Sequence, residues 1–165
     1  MKVKNILFFI VFFAFIGVLT AQETQEELNK KTFKERLTYN LGGGLMIGTI
    51  TNINILPQIG YRATPKFTVG VGANLSYFRD NRFSPALNFT MFGGNGFARY
   101  QISQNLFAQT EYQRLYFNGL GGDYVLAGGG YMPSNRFFIS AYYLLKYPAN
   151  NVYGQPYLIR AGLMF

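Results

Sequence analysis

The sequence predicts an all-β chain: eight antiparallel strands closing into an up-and-down transmembrane β-barrel. Three observations carry this. Of the 165 residues, 18% are aromatic and only 13% are charged, where a soluble domain carries about 25% charge. No apolar run beyond residue 21 reaches the roughly 20 residues of a spanning helix. From Leu37 onward, apolar and polar residues alternate with the period of two that marks a strand. An apolar, aromatic chain without a helical span points to strands in a membrane, where only a closed barrel pairs every backbone group.

Two segments precede the barrel region, 37–165. Lys2 and Lys4, followed by the apolar stretch 6–18, read as a secretory signal peptide over residues 1–21, with cleavage after Ala21. Leu19 is not the small residue usual at its place, and an uncleaved N-terminal anchor is the alternative. Residues 22–36, QETQEELNKKTFKER, are the only strongly charged stretch. They are expected to form a periplasmic lead-in, as a short helix or an unstructured tail. The absence of cysteine excludes a disulfide framework and a lipidated cysteine. The formal net charge of +8 falls by two when the leader's lysines are removed. It comes with no basic stripe or RNA-binding motif, so the expected partner is anionic lipid rather than nucleic acid.

The strands follow in order. Residues 37–49 set Leu37, Tyr39, Leu41, Leu45 and Ile47 against Thr38, Asn40, Gly42, Gly44 and Gly48. Residues 52–62 oppose Ile53, Ile55, Ile59 and Tyr61 to Asn52, Asn54, Gln58 and Arg62. The segment 67–77 alternates without a violation, with Phe67, Val69, Val71, Ala73, Leu75 and Tyr77 on one face. Its length suits the roughly 9–11 residues of a tilted membrane strand. In 86–102 the parity conflicts: Leu87, Phe89 and Met91 share one, while Ala98, Tyr100 and Ile102 share the other. A bulge in Gly93-Gly94-Asn95-Gly96 is expected to reconcile them. Residues 104–117 turn Ala108, Thr110, Tyr112 and Tyr116 outward and Gln109, Glu111 and Gln113 inward. Residues 123–132 are glycine-rich and weaker. Residues 137–147 set Phe137, Ile139, Ala141, Tyr143 and Leu145 against Ser140, Tyr142 and Lys146. The closing stretch YLIRAGLMF, 157–165, is expected to pair with 37–49, with Tyr157 and Phe165 at opposite interfaces and Arg160 turned inward.

Tight turns are expected at 62–66, 103–105 and 133–135, and other connections at 49–51, 78–84, 118–123 and 148–155, three of them longer. Short turns on one side and longer loops on the other suit a membrane barrel, and an even strand number puts both termini on the turn side. A soluble barrel would show the same alternation with the faces reversed. Here the polar face is built from Gly, Asn, Thr, Ser and Gln rather than Lys and Glu. Aromatics such as Tyr61, Phe67, Tyr77, Tyr100, Phe137 and Tyr147 gather near strand ends, where an interfacial girdle belongs. Eight strands leave an interior just wide enough for side chains. The inward charges Glu111, Arg160, Arg99 and Lys146 are therefore expected to form a polar network. Glu111 should pair with Arg160 or Arg99, because an isolated buried charge is costly. The alternative places these charges near the strand ends, simply hydrated.

With these features assembled, the chain resembles small bacterial outer-membrane β-barrels of the OmpA/OmpX type, and more narrowly the outer membrane beta-barrel proteins common in Bacteroidetes. The likeness lies in TAQ at the cleavage site, PQIGYRATPKFTVGVGANLSYF, GFARYQISQNLFAQTEYQ and RAGLMF. It implies residence in the bacterial outer membrane. It also implies that Phe165, Leu163 and Tyr157 belong to an assembly signal, read by the barrel-insertion machinery, and to the interface girdle. Arg160 stands where that signal usually holds glycine, and Gly162 is shifted. Such barrels host adhesins, anchors and enzymes, so the likeness informs architecture rather than activity.

The chain has no histidine. Outer-membrane barrel lipases, lipid A acyltransferases and deacylases, and omptin-type proteases use one, and serine nucleophiles normally depend on such a base. Zinc lacks its common ligands. Asp80, Asp123 and Glu111 lie in separate segments, and the glycine runs at 42–44, 93–96 and 128–130 lack the ending of a phosphate loop. No catalytic residue, metal or cofactor is expected. The expected role is structural or surface-interacting, through loops 78–85, 118–123 and 148–156. The alternatives are a narrow pore or carrier for a small solute, or a barrel subunit of a larger envelope complex. Arg79 and Arg82 suit contact with lipopolysaccharide phosphate, which arginine binds bidentately; a solvated loop is the alternative.

Overall fold

The computed structural model describes residues 25–46, 49–117, 120–134, 136–148, 153 and 155–165. The expected signal peptide lies outside them. The strands are β1 (Leu37–Met46), β2 (Ile50–Arg62), β3 (Phe67–Asp80), β4 (Leu87–Gln101), β5 (Leu106–Phe117), β6 (Leu120–Tyr131), β7 (Phe137–Lys146) and β8 (Tyr157–Met164). They follow one another around a closed barrel in chain order, each antiparallel to its neighbours. The seam pairs β1 with β8 from Asn40–Met164 to Gly43–Ala161. Two backbone hydrogen bonds between Tyr39 and Phe165, 3.1 and 2.8 Å, extend it toward the turn end. Closure removes the free edges that would otherwise template aggregation.

The lead-in folds. Residues 25–30 are helical and a 3-10 turn spans Lys34–Arg36. The Glu35 carboxylate accepts hydrogen bonds from the backbone N–H and the hydroxyl of Thr32, at 2.6 and 2.8 Å. The backbone bond first of all holds the Glu35 pKa below its usual value. Phe33 stacks on Tyr61 with ring centroids 5.3 Å apart, and Arg36 donates to the Tyr61 hydroxyl at 3.3 Å. The lead-in is thereby docked at the turn end of β2.

Alternation sorts the side chains to two surfaces. Ile53, Ile55, Ile59, Val69, Val71, Leu75, Ile139, Tyr143 and Leu145 are exposed on the outside, while Asn40, Asn54, Gln58, Asn74, Ser76, Gln109 and Gln113 are buried. A protein folded in water hides the first set. Apolar outside and amides inside is the arrangement of a barrel solvated by lipid.

Two expectations need correction. No bulge interrupts β4 at 93–96, because its register with β3 runs unbroken from Phe67–Tyr100 to Asp80–Leu87. Met91, Asn95, Phe97 and Arg99 therefore all face inward. The parity conflict came from treating Phe89 and Met91 as lipid-facing; both belong to an apolar cluster inside the barrel. The register shift lies instead between Val125 and Leu126, where β6 meets β7. Nor is 118–123 an extended loop, since β6 already starts at Leu120. The connection from β7 to β8 is the long one.

Candidate functional site

The lumen is built in layers, and Glu111 occupies the middle one. The parity of β5 points Gln109, Glu111 and Gln113 inward together, all buried. Glu111 Oε2 accepts from Arg160 Nη1 of β8 at 2.9 Å and from Gln109 Nε2 at 3.3 Å. Its Oε1 accepts from Asn95 Nδ2 of β4 at 2.7 Å and from Gln113 Nε2 at 2.5 Å. A carboxylate offers about four lone-pair sites, and four donors converge on this one. The ion pair to Arg160 is fully buried, with both side chains at 2% exposure or less. Hydrogen bonds to the remaining donors and acceptors offset the desolvation of such a pair. On the anionic side that capacity is met in full, while Arg160 Nε and Nη2 have no partner among the described residues.

The network continues toward the loops. Gln113 Oε1 accepts from the Tyr153 hydroxyl at 2.7 Å and from Asn74 Nδ2 at 3.4 Å. Asn54 Nδ2 donates to Asn74 Oδ1 at 2.5 Å and to Ser76 Oγ at 2.6 Å. An apolar cluster of Met91, Leu115, Tyr124, Leu126, Tyr142, Leu144 and Tyr153 then fills the lumen. Tyr153 descends from the β7–β8 connection and sets its ring edge-on to Tyr124, centroids 5.3 Å apart.

The layer toward the turns surrounds Arg99. Its Nε donates to Gln109 Oε1 at 2.7 Å, so it reaches Glu111 through Gln109 rather than directly. Its guanidinium carbon lies 4.5 Å from the Phe107 ring centroid, 5.5 Å from that of Phe97 and 5.7 Å from that of Phe138. Cation–π attraction of this kind strengthens with desolvation. Glycines make room for the rings. A Cβ at Gly70 would meet the Phe97 ring, one at Gly130 the Phe107 ring, and one at Gly162 the Phe138 ring.

Of the four charges expected in the lumen, Glu111 and Arg160 are in contact and Arg99 is one residue removed. Lys146 is not there. The register shift at Val125/Leu126 leaves Leu145 unpaired, so Lys146 lies opposite Val125 instead of continuing the inward row of Tyr142 and Leu144, and its side chain is exposed at the end of β7. The bulge resets the alternation and puts Lys146 on the outward side with Val125 and Tyr112. Arg79 is exposed and donates through Nε to Asn81 Oδ1 at 2.9 Å. The Arg82 guanidinium is engaged by Asp80, with Nη2 2.6 Å from Oδ2, and that hydrogen bond raises the Arg82 pKa. Tyr157, Leu163 and Phe165 are exposed on the outer face, while Arg160 is buried. The sequence reading missed Tyr153 and the three phenylalanines. Parity held the clue for the rings, since Phe97, Phe107 and Phe138 lie two residues from Asn95, Gln109 and Ser140.

No protein-family model matches the chain, and no curated protein does. Among solved structures it is similar to a chain described as "De novo design of transmembrane beta-barrels". The TM-score is 0.42 and the identity 15%, over 78% of this chain and 92% of that one. The barrel assignment stands on the strand register and the two sorted surfaces, independently of that likeness.

Proposed function

We propose that the protein is an integral barrel of a bacterial outer membrane, with a closed lumen and no enzymatic activity, acting in a structural or surface-interaction role through its loop end. The observation that carries this reading is the double closure of the lumen. An ionic network centred on Glu111 fills the middle, and the apolar layer beside it includes Met91, Leu115, Tyr124, Leu126 and Leu144, each at 1% exposure or less. A solute path would need both layers to part. The outer surface supports residence among lipids, and Arg79 is better disposed than the Asp80-bound Arg82 to meet lipopolysaccharide phosphate. Insertion by the barrel-assembly machinery through β8, with Tyr157, Leu163 and Phe165 as the outward residues, belongs to the same proposal, as does an envelope protein partner at the loops.

Planar bilayers test the closed lumen. Refolded protein should give no steady conductance, and ion-scale openings of constant size would defeat the reading. Cell fractionation tests the location. Recovery in the soluble periplasmic fraction, with gel mobility unchanged by boiling, would exclude a lipid-embedded barrel.

A further inference from the structure

At the turn end, the lumen opens on a cavity of about 330 Å³. Arg99, Arg62 and Lys66 line it together with the hydroxyl residues Thr38, Thr68 and Ser134. Among the described residues no acidic one lines it. Three cations share one small concavity, and the innermost of them is only 5% exposed.

Arg99 is held so that its far end is left over. Aromatic rings surround the guanidinium and Gln109 takes Nε. Nη1 reaches only the Met164 sulfur at 4.0 Å, and Nη2 has no partner among the described residues. The carboxylate that could neutralise it, Glu111, is paired with Arg160 instead. Of the two arginines buried among the described residues, Arg160 reaches a carboxylate and Arg99 reaches none. Here the plane is fixed by stacking and by one amide, beside a cavity whose wall adds positive charge and hydroxyls. A planar pair of N–H donors with supporting cations is the chemistry that recognises an oxyanion bidentately.

We propose that this vestibule binds a phosphate group, with the Arg99 Nη atoms as its bidentate donors and Arg62 and Lys66 as flanking cations. Two sources share that chemistry, free phosphate and the headgroup of a lipid in the turn-side leaflet. The site consists of barrel residues alone and does not depend on the role assigned to the loops.

The test uses the full chain refolded in zwitterionic detergent, with folding verified by gel mobility and arginine side chains labelled with ¹⁵N. Inorganic phosphate is titrated at constant ionic strength in one arm, and dihexanoyl phosphatidic acid in the other. A saturable shift of the Arg99 Nε–H resonance is expected. Binding should weaken roughly tenfold or more in the Arg62→Gln, Lys66→Gln double variant, equivalent to about 1.4 kcal/mol. Those side chains lie at the rim, so the variant retains the barrel. Similar affinity in both arms supports the proposal with a free phosphate group sufficient; a preference for the lipid supports it with the headgroup as the source. An unmoved Arg99 resonance in both arms, or unchanged affinity in the double variant, overturns it.

Discussion

Replacing Glu111 by glutamine removes the one negative charge at the centre of the lumen while keeping its shape. The amide retains one acceptor oxygen and turns an NH₂ group toward a pair of donors, either Arg160 and Gln109 or Asn95 and Gln113. Rotating neighbouring amides can relieve part of that mismatch. Nothing relieves Arg160, whose guanidinium is then a buried charge without a counterion. Breaking a buried pair in this way costs about 3–5 kcal/mol. Removing both charges should behave differently. Arg160 Nε and Nη2 have no partner among the described residues, so methionine at that position forfeits little once the carboxylate is gone. Glu111→Gln with Arg160→Met should therefore recover most of the loss, as apolar replacement of buried pairs does elsewhere. The assay is reversible unfolding by guanidinium in lipid vesicles, followed by tyrosine fluorescence, which suits a chain with 13 tyrosines and no tryptophan. The double-mutant cycle isolates the pair. If Glu111→Gln stays within about 1 kcal/mol of the parent, the scale of an exposed ion pair, or if the double variant is no more stable than the single, the network is not what organises the lumen.

Gly162→Ala places a Cβ about 2.6 Å from both the Phe138 ring and the Leu41 carbonyl oxygen. A loss of roughly 1–3 kcal/mol is expected from overpacking, whereas Gly94→Ala, with nothing nearer than 3.7 Å, should unfold like the parent. Val71→Arg puts a cation on the outer face at a position 67% exposed. In bilayers it should cost about 2–4 kcal/mol if that position lies near the midplane, and an unchanged unfolding midpoint would mean that water, not lipid, meets β3. Glu35 should titrate below its usual value of 4.5, because its folded pKa is lowered by the Thr32 bonds. A lowered pKa means the stabilisation from these bonds is present above the unfolded value and is lost as pH falls through the folded one. Carboxyl NMR across the acid range checks this, and a midpoint at or above 4.5 contradicts the Thr32 bonds.

Reading the residues in order goes far for this fold because the strand period is local. In a regular strand two consecutive side chains point to opposite faces. Val69, Val71 and Leu75 therefore announce an outer face, and Gln109, Glu111 and Gln113 an inner one, without knowledge of any neighbour. The reading failed where the inner face stops being polar. At Phe89 and Met91 the hydrophobic pattern reports apolar surroundings but cannot say whether lipid or the lumen supplies them. A bulge was the local repair for what is a change of environment along the barrel axis. Lys146 failed for a different reason, since the one-residue shift where β6 meets β7 reverses the alternation just before it.

Composition and period thus determined that this chain is a closed barrel, apolar outside and charged within. They also narrowed the partner of Glu111 to two arginines. Only the tertiary structure chose between them. Glu111 and Arg160 are 49 residues apart and meet across the lumen, where the register of every intervening strand pair sets their relative height. The same registers bring Phe97, Phe107 and Phe138 from three strands around Arg99 and leave its Nη atoms beside a cationic cavity. Contacts across a barrel are sums over all its local pairings, so no single stretch of sequence contains them.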